Sequence, residues 1–363
     1  MIKQSKIVSL LSLLMIMFCF AACQKENEEE TTNDNNLTNG LYVLCEGLFG
    51  HNNSALDFYS FSDSTTTKDL FSSVNFQGLG ETANDMIKVG SEIWIAVDGS
   101  AMVVVVDTKD GKIKKMIPII DNSQNNTKTD ATNREPRSLV SDNNFVYVSC
   151  FDGNIVKISI NDKTIKDIIA TGGRNPEGIA IAKNKIYVAN SGGLSYPNYD
   201  NTVSVIDIES FKLDKLITVM DNPQVLKTDG NKVFVVSTGD YSKTYRLTII
   251  ENSEKVDSLD INITDFAIND GFIYYVYKSW NDNTATLNKI DLNNLHSTPT
   301  AFATIPKELV QPYRIDIYNN IIYVCDVKDY KVSGEVFAFD LSGSLLYSFS
   351  TSINPNTIID IRN

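Results

Sequence analysis

One short strand pattern recurs seven times in this chain of 363 residues, and its spacing restricts the fold more than any other feature. Each copy sets two or three apolar residues around an aromatic, followed by a small or polar residue and a turn. The copies centre on Leu41-Tyr42-Val43, Ile93-Trp94-Ile95, Val146-Tyr147-Val148, Ile186-Tyr187-Val188, Val233-Phe234-Val235, Ile273-Tyr274-Tyr275 and Ile322-Tyr323-Val324. The aromatics stand at 42, 94, 147, 187, 234, 274 and 323, so the spacings are 52, 53, 40, 47, 40 and 49 residues. Short strands repeating every ~40–50 residues mark a β-propeller, each repeat being one blade. Sixteen Tyr and 17 Phe against nine Pro agree with a strand-rich chain.

A second mark keeps register with the first. Pro136, Pro176, Pro223 and Pro312 each lie 11 residues before the aromatic at 147, 187, 234 and 323. An apolar run follows each proline, then a polar hairpin, then the aromatic strand. Third strands such as Val203–Asp207 and fourth strands such as Leu216–Val219 complete units of four. The first aromatic strand, at Tyr42, has no inner strand before it. The last segment, 354–361, reads as an inner strand with no aromatic strand after it. Joined, they complete one blade and close the ring, which hides two sheet edges. The expectation is an all-β fold: a single seven-bladed β-propeller of four-stranded antiparallel blades over residues 39–363. Six or eight blades are the nearest alternatives. A pair of β-sandwiches would leave the register unexplained.

The first 22 residues read as an address. Lys3 and Lys6 precede an apolar stretch, Val8–Phe20, that is short for a membrane span. Phe20-Ala21-Ala22-Cys23 resembles a bacterial lipobox, which implies cleavage before Cys23 and lipidation of that cysteine. A plain signal peptide is the alternative. Residues 23–38 are polar and low in complexity, a flexible acidic tether. The run Glu28-Glu29-Glu30 behind the cysteine resembles the surface-export signal of lipoproteins from gut-dwelling anaerobes. The implied location is the outer membrane, lipid-anchored and exposed on the cell surface. Cys45, Cys150 and Cys325 are expected as buried small hydrophobes.

Charge and motif content narrow the function. A net charge of -13 argues against nucleic acid, whose phosphates need a basic footprint. His51 and His296 are the chain's two histidines, and no Gly-x-Ser-x-Gly elbow, phosphate loop or Cys-x-x-Cys is present. A non-catalytic protein without a bound cofactor is expected. A structural calcium ion held by loop carbonyls and Asp side chains stays open, as does a lactonase-like propeller with a central metal.

Propeller topology indicates where a ligand would sit. Loops entering inner strands and loops leaving aromatic strands share one face, around the central channel. The residue after each register proline, or its equivalent ten before each aromatic, is expected at the channel mouth. Around the ring these are Asn84, Arg137, Glu177, Gln224, Thr264, Tyr313 and, by closure, Asn356. All are polar and, apart from the two Asn that meet where the ring closes, no two neighbours are alike, which suits an asymmetric polar ligand as well as it suits solvated loops. Loops on that face carry large side chains: Phe49, His51, Phe151, Tyr196, Tyr199, Tyr241, Tyr245, Tyr277, Trp280 and Tyr330. Aromatics exposed together suit stacking on a flat or ring-shaped ligand. The segments 121–133 and 190–201 are long polar loops on the same face.

Ile186-Tyr187-Val188-Ala189-Asn190 resembles the strand signature of the YVTN-type, YncE-like propellers. Tyr42-Val43-Leu44-Cys45-Glu46-Gly47 through Leu56 resembles the opening motif of a subfamily of gut-bacterial surface lipoproteins, with Cys45 where Asn is more usual. The resemblance implies capture of a corrinoid (cobalamin, vitamin B12) and hand-over to an outer-membrane TonB-dependent transporter. On that reading Arg137, Arg174 and Arg314 would meet the nucleotide phosphate. The alternative is an interaction or adhesion propeller that binds a glycan or a protein.

Overall fold

The computed structural model describes residues 37–121, 132–240, 242, 244–279 and 284–362. Seven four-stranded antiparallel sheets form the blades of a ring. Six take their strands in chain order, within residues 83–118, 136–170, 176–218, 223–260, 265–301 and 312–353. They are blades 1 to 6. Blade 7 is split across the termini: Pro355–Asp360 is its inner strand, followed outward by Gly40–Cys45, Ala55–Ser60 and Thr65–Thr67. Leu41 pairs with Asp360 and Val43 with Ile358. The chain is therefore an all-β seven-bladed propeller, closed as the end segments indicated.

The aromatic repeat exists because it seals the joints between blades. All seven aromatics are buried: Tyr42, Trp94, Tyr147, Tyr187, Phe234, Tyr274 and Tyr323. The core consists of seven clusters, each at one blade–blade interface and each holding one of these rings. Trp94 of blade 1 packs on Val146 and Val148 of blade 2, and Tyr323 of blade 6 packs on Leu41 and Val43 of blade 7. A sheet buried on both faces needs a large apolar side chain at each joint, once per blade. Cys45, Cys150 and Cys325 are buried free thiols within this packing. One short helix, Leu70–Asn75, lies outside the repeat. It starts at Asp69, whose carboxylate accepts the Ser72 N–H.

Candidate functional site

All seven residues assigned to the mouth from sequence line one central cavity of about 350 Å³. Their convergence has a local cause. In six blades the inner strand carries a β-bulge at this position. Pro223 pairs with Ser237 and Val225 with Val236, which leaves Gln224 as the extra residue. The same shift occurs at Asn84, Tyr313 and Asn356, and at Arg137-Ser138 and Glu177-Gly178. Thr264 occupies the equivalent place just before its strand begins at Asp265. Successive residues of a regular strand point to opposite faces. The bulge breaks that alternation, so two consecutive residues per blade face the channel. The second set is Asp85, Ser138, Gly178, Val225, Asp265, Arg314 and Thr357, with Lys227 and Asp316 beyond them.

The channel is charged, and most of its charges are paired. Arg137 donates from Nε to Glu177 at 2.8 Å and also pairs with Asp98, bridging blades 1, 2 and 3. Its guanidinium lies 5.0 Å from the centre of the Phe151 ring. Asn84 donates to Asp98 at 2.9 Å. Glu46 accepts from the Tyr313 hydroxyl at 3.1 Å and from the Asn356 amide at 2.6 Å. The Lys227 ammonium is 3.0 Å from Asp265. Three channel carboxylates also accept a backbone N–H from the next inner strand. Asp85 takes that of Leu139 at 2.8 Å, Asp265 that of Ile315 at 3.0 Å, and Asp316 that of Ile358 at 3.0 Å. These bonds tie neighbouring blades together at the axis.

Burial dominates the titration of this layer. It pushes Asp85 and Asp316 up to about 6, against the pull of the N–H groups they accept. It also raises Glu46, and raises Glu177 despite Arg137. Burial opposes the charge on Arg137, yet Glu177 and Asp98 more than offset it and hold that guanidinium protonated.

The loop residues divide into three groups. Phe49 and Tyr196 are 89% and 71% exposed on the mouth face, as is Leu194 at 77%. Tyr199 meets Tyr196 edge-on at 6.0 Å, and His51 is exposed beside Phe49, with Nδ1 3.0 Å from its carbonyl oxygen. Tyr330 meets Tyr313 edge-on at 6.0 Å and extends the rim from the channel wall. Phe151 and Arg174 serve the scaffold: the first underlies Arg137, and the second donates to the Asn198 carbonyl at 3.0 Å. Tyr245 is a correction. It is buried edge-on against Tyr277 and offers no face to a ligand, because its loop folds back on its own blade joint. Tyr241, Trp280 and Cys23 lie outside the described residues, as does most of the 121–133 loop. His296 lies far from the mouth in sequence and topology, 3.0 Å from Asp257. Among the described residues, no three His, Cys, Asp or Glu side chains are grouped to hold a metal ion.

Sequence reasoning missed Glu46, Asp98 and the deeper charged layer. A signal for the first two was present, since each stands four residues after its blade's aromatic, Tyr42 or Trp94. Arg314 was named from the resemblance, but nothing in spacing alone could show that a bulge turns Asp85 inward or that Asp265 lines the channel.

Comparison with known proteins agrees with the fold. A family profile described as a domain of unknown function (DUF5074) matches residues 39–196. Two curated Arabidopsis thaliana proteins, strictosidine synthase-like 4 and 6, are 31% and 33% identical over 113 and 101 residues. These matches cover 28% and 25% of this chain and 30% and 27% of the plant proteins, so less than a third of each relative's length is spanned. Among solved structures, a quinoprotein alcohol dehydrogenase-like protein from Bacteroides thetaiotaomicron aligns with a TM-score of 0.62 at 13% identity, over 90% of this chain and 79% of its own. Hydrazine synthase from Kuenenia stuttgartiensis aligns at 0.59 and 16% identity, over 75% and 87%. The dihydro-heme d1 dehydrogenase NirN aligns at 0.57 and 10%, over 89% and 75%. Several of these neighbours are enzymes by name. At such identities the likeness is one of fold.

Proposed function

We propose that this chain is a non-catalytic propeller that captures a small polar ligand at its channel mouth, and that the ligand is a corrinoid. One observation carries the reading. Seven polar side chains of six kinds, one from each blade, converge on a single mouth, with Phe49 and Tyr196 standing exposed on the same face. A corrin macrocycle is larger than the cavity, so it would lie across the mouth. Its edge would rest against exposed aromatics, and its peripheral amides would meet Gln224, Thr264 and Tyr313. Asn84, Arg137, Glu177 and Asn356 are already held by their own hydrogen bonds. A mouth set in this way loses little side-chain entropy when a ligand arrives. Lipidation at Cys23, display on the cell surface and hand-over to a TonB-dependent transporter belong to the same proposal and rest on the lipobox and opening-motif resemblances.

Titration of the soluble domain with cyanocobalamin, followed by visible absorbance and calorimetry, tests the ligand. One-to-one binding that weakens at least tenfold in the Phe49→Ser, Tyr196→Ser double variant supports it. No heat and no spectral change at micromolar protein removes the corrinoid.

A further inference from the structure

Arg137, Lys227 and Arg314 are the three basic side chains that line the cavity, and two of them are paired. Arg314 is different. Among the described residues its guanidinium makes no hydrogen bond and no ion pair, and its Nε is enclosed without a partner. The centre of the Tyr313 ring lies 5.0 Å from its guanidinium carbon. The carboxylates around it are committed elsewhere. Glu46 holds Tyr313 and Asn356, Asp85 holds the Leu139 N–H, Asp265 holds Lys227 and the Ile315 N–H, and Asp316 holds the Ile358 N–H. None closes to ion-pair distance on Arg314. An enclosed N–H donor without a partner is costly to keep, because it has left water with no bond in exchange. An aliphatic side chain, like Val225 at the same place in blade 4, would avoid that cost.

We propose that Arg314 is the receptor of an anion-binding subsite inside the channel, one that takes the carboxylate or phosphate of a ligand entering from the mouth. A guanidinium presents a planar fork of N–H donors that fits both groups, and the bond strengthens out of water. Thr264, from blade 5, brings a further hydroxyl to the wall of the same cavity. Burial opposes the charge on Arg314, but the surrounding Tyr313, Asp265, Glu46 and Asp85 more than offset it, so the fork is charged before the anion arrives. The cavity of about 350 Å³ holds such a group with a few attached atoms. This subsite is independent of what lies across the mouth. It deepens the corrinoid reading only if the anion is the ligand's own phosphate.

The test uses the described domain and two simple probes, inorganic phosphate and acetate, at pH 7.5. Line broadening of the phosphate ³¹P signal, and competition by acetate, are read for the unaltered protein and for Arg314→Gln and Arg314→Lys. Broadening that Arg314→Gln abolishes, and Arg314→Lys weakens at least fivefold, is expected. Competition by acetate identifies a general oxyanion site, and its absence a phosphate site. Equal broadening in all three proteins overturns the proposal. So does no broadening of the unaltered protein at millimolar phosphate, a result that needs no variant to fold. Titration with cobinamide, which lacks the nucleotide phosphate, separates the two readings. Binding equal to that of cyanocobalamin keeps the corrinoid and removes its phosphate from Arg314. Failure of both corrinoids leaves the anion experiments standing by themselves.

Discussion

Two arginines line the same channel from opposite sides of the ring, and they live in different environments. Arg137 on blade 2 is clamped between Glu177 and Asp98 and lies on Phe151. Arg314 on blade 6 has no ion pair and an enclosed Nε without a partner. Both sit at the start of an inner strand, beside a bulge. The difference is in what faces them. Blade 1 sends Asp98 toward Arg137 from the loop after its aromatic strand. On blade 5, which precedes Arg314, the residue four after the aromatic is Lys278 and not an acid, and Glu46 of blade 7 is drawn to Tyr313 and Asn356. A guanidinium whose donors are bonded serves the fold, whereas one with an enclosed, unbonded donor is retained at a cost to it. The same residue type therefore acts as a structural clamp in one sector and as a candidate receptor in the other.

Removing the clamp should have the largest effect. Arg137→Ala leaves Glu177 and Asp98 buried without their cation, and a loss of about 3 kcal/mol in urea unfolding at pH 7.5 is expected. The loss should shrink as pH falls, because burial raises the Glu177 carboxyl and lets it take up a proton above the usual carboxylate range. An unchanged midpoint would mean that the clamp contributes nothing.

Asp316 offers a test of opposite sign. Its carboxyl is pushed from an ordinary 3.8 up to about 6, so the folded state binds the proton more tightly than the unfolded one. Its charge therefore costs stability as pH rises through that window, and the cost is complete above it. Asp316→Asn keeps an oxygen acceptor for the Ile358 N–H. The variant should match the parent at pH 4 and exceed it by about 2 kcal/mol at pH 8. Melting curves across that range check the slope, and a gain equal at both ends would contradict it.

Arg314→Gln should change stability less than either, by no more than about 1 kcal/mol, because its guanidinium makes no hydrogen bond or ion pair to lose. A loss as large as that of Arg137→Ala would show that the two sectors are alike. Phe49→Ser should be the mildest, within about 0.5 kcal/mol of the parent in the same unfolding assay, since the ring is exposed. Its effect belongs to corrinoid affinity, and an unchanged dissociation constant would take Phe49 out of the site.

Much of this was legible along the chain. An aromatic every ~40–50 residues is a joint-sealing side chain seen once per blade. The prolines locate the inner strands because they fix the backbone where each strand begins, as at Pro136 and Pro312. Register counting from the prolines and the aromatics, with ring closure for Asn356, was enough to place seven residues from seven distant segments in one cavity. The large loop side chains were less legible. Tyr245 and Phe49 read alike in sequence, yet one packs into a joint and the other stands in solvent.

What the chain by itself determined is the number of blades, their closure and the identity of the mouth ring, because all three follow from periodic burial and counting. What only the tertiary structure decided is the charge pairing inside the channel. In six blades a bulge turns a second residue inward, and pairing then depends on which carboxylate from a neighbouring blade reaches which cation. Glu177 and Arg137 lie 40 residues apart in sequence, and Tyr313 and Glu46 lie 267 apart. Distances of a few ångströms between such groups are set by ring closure, and no local pattern records them.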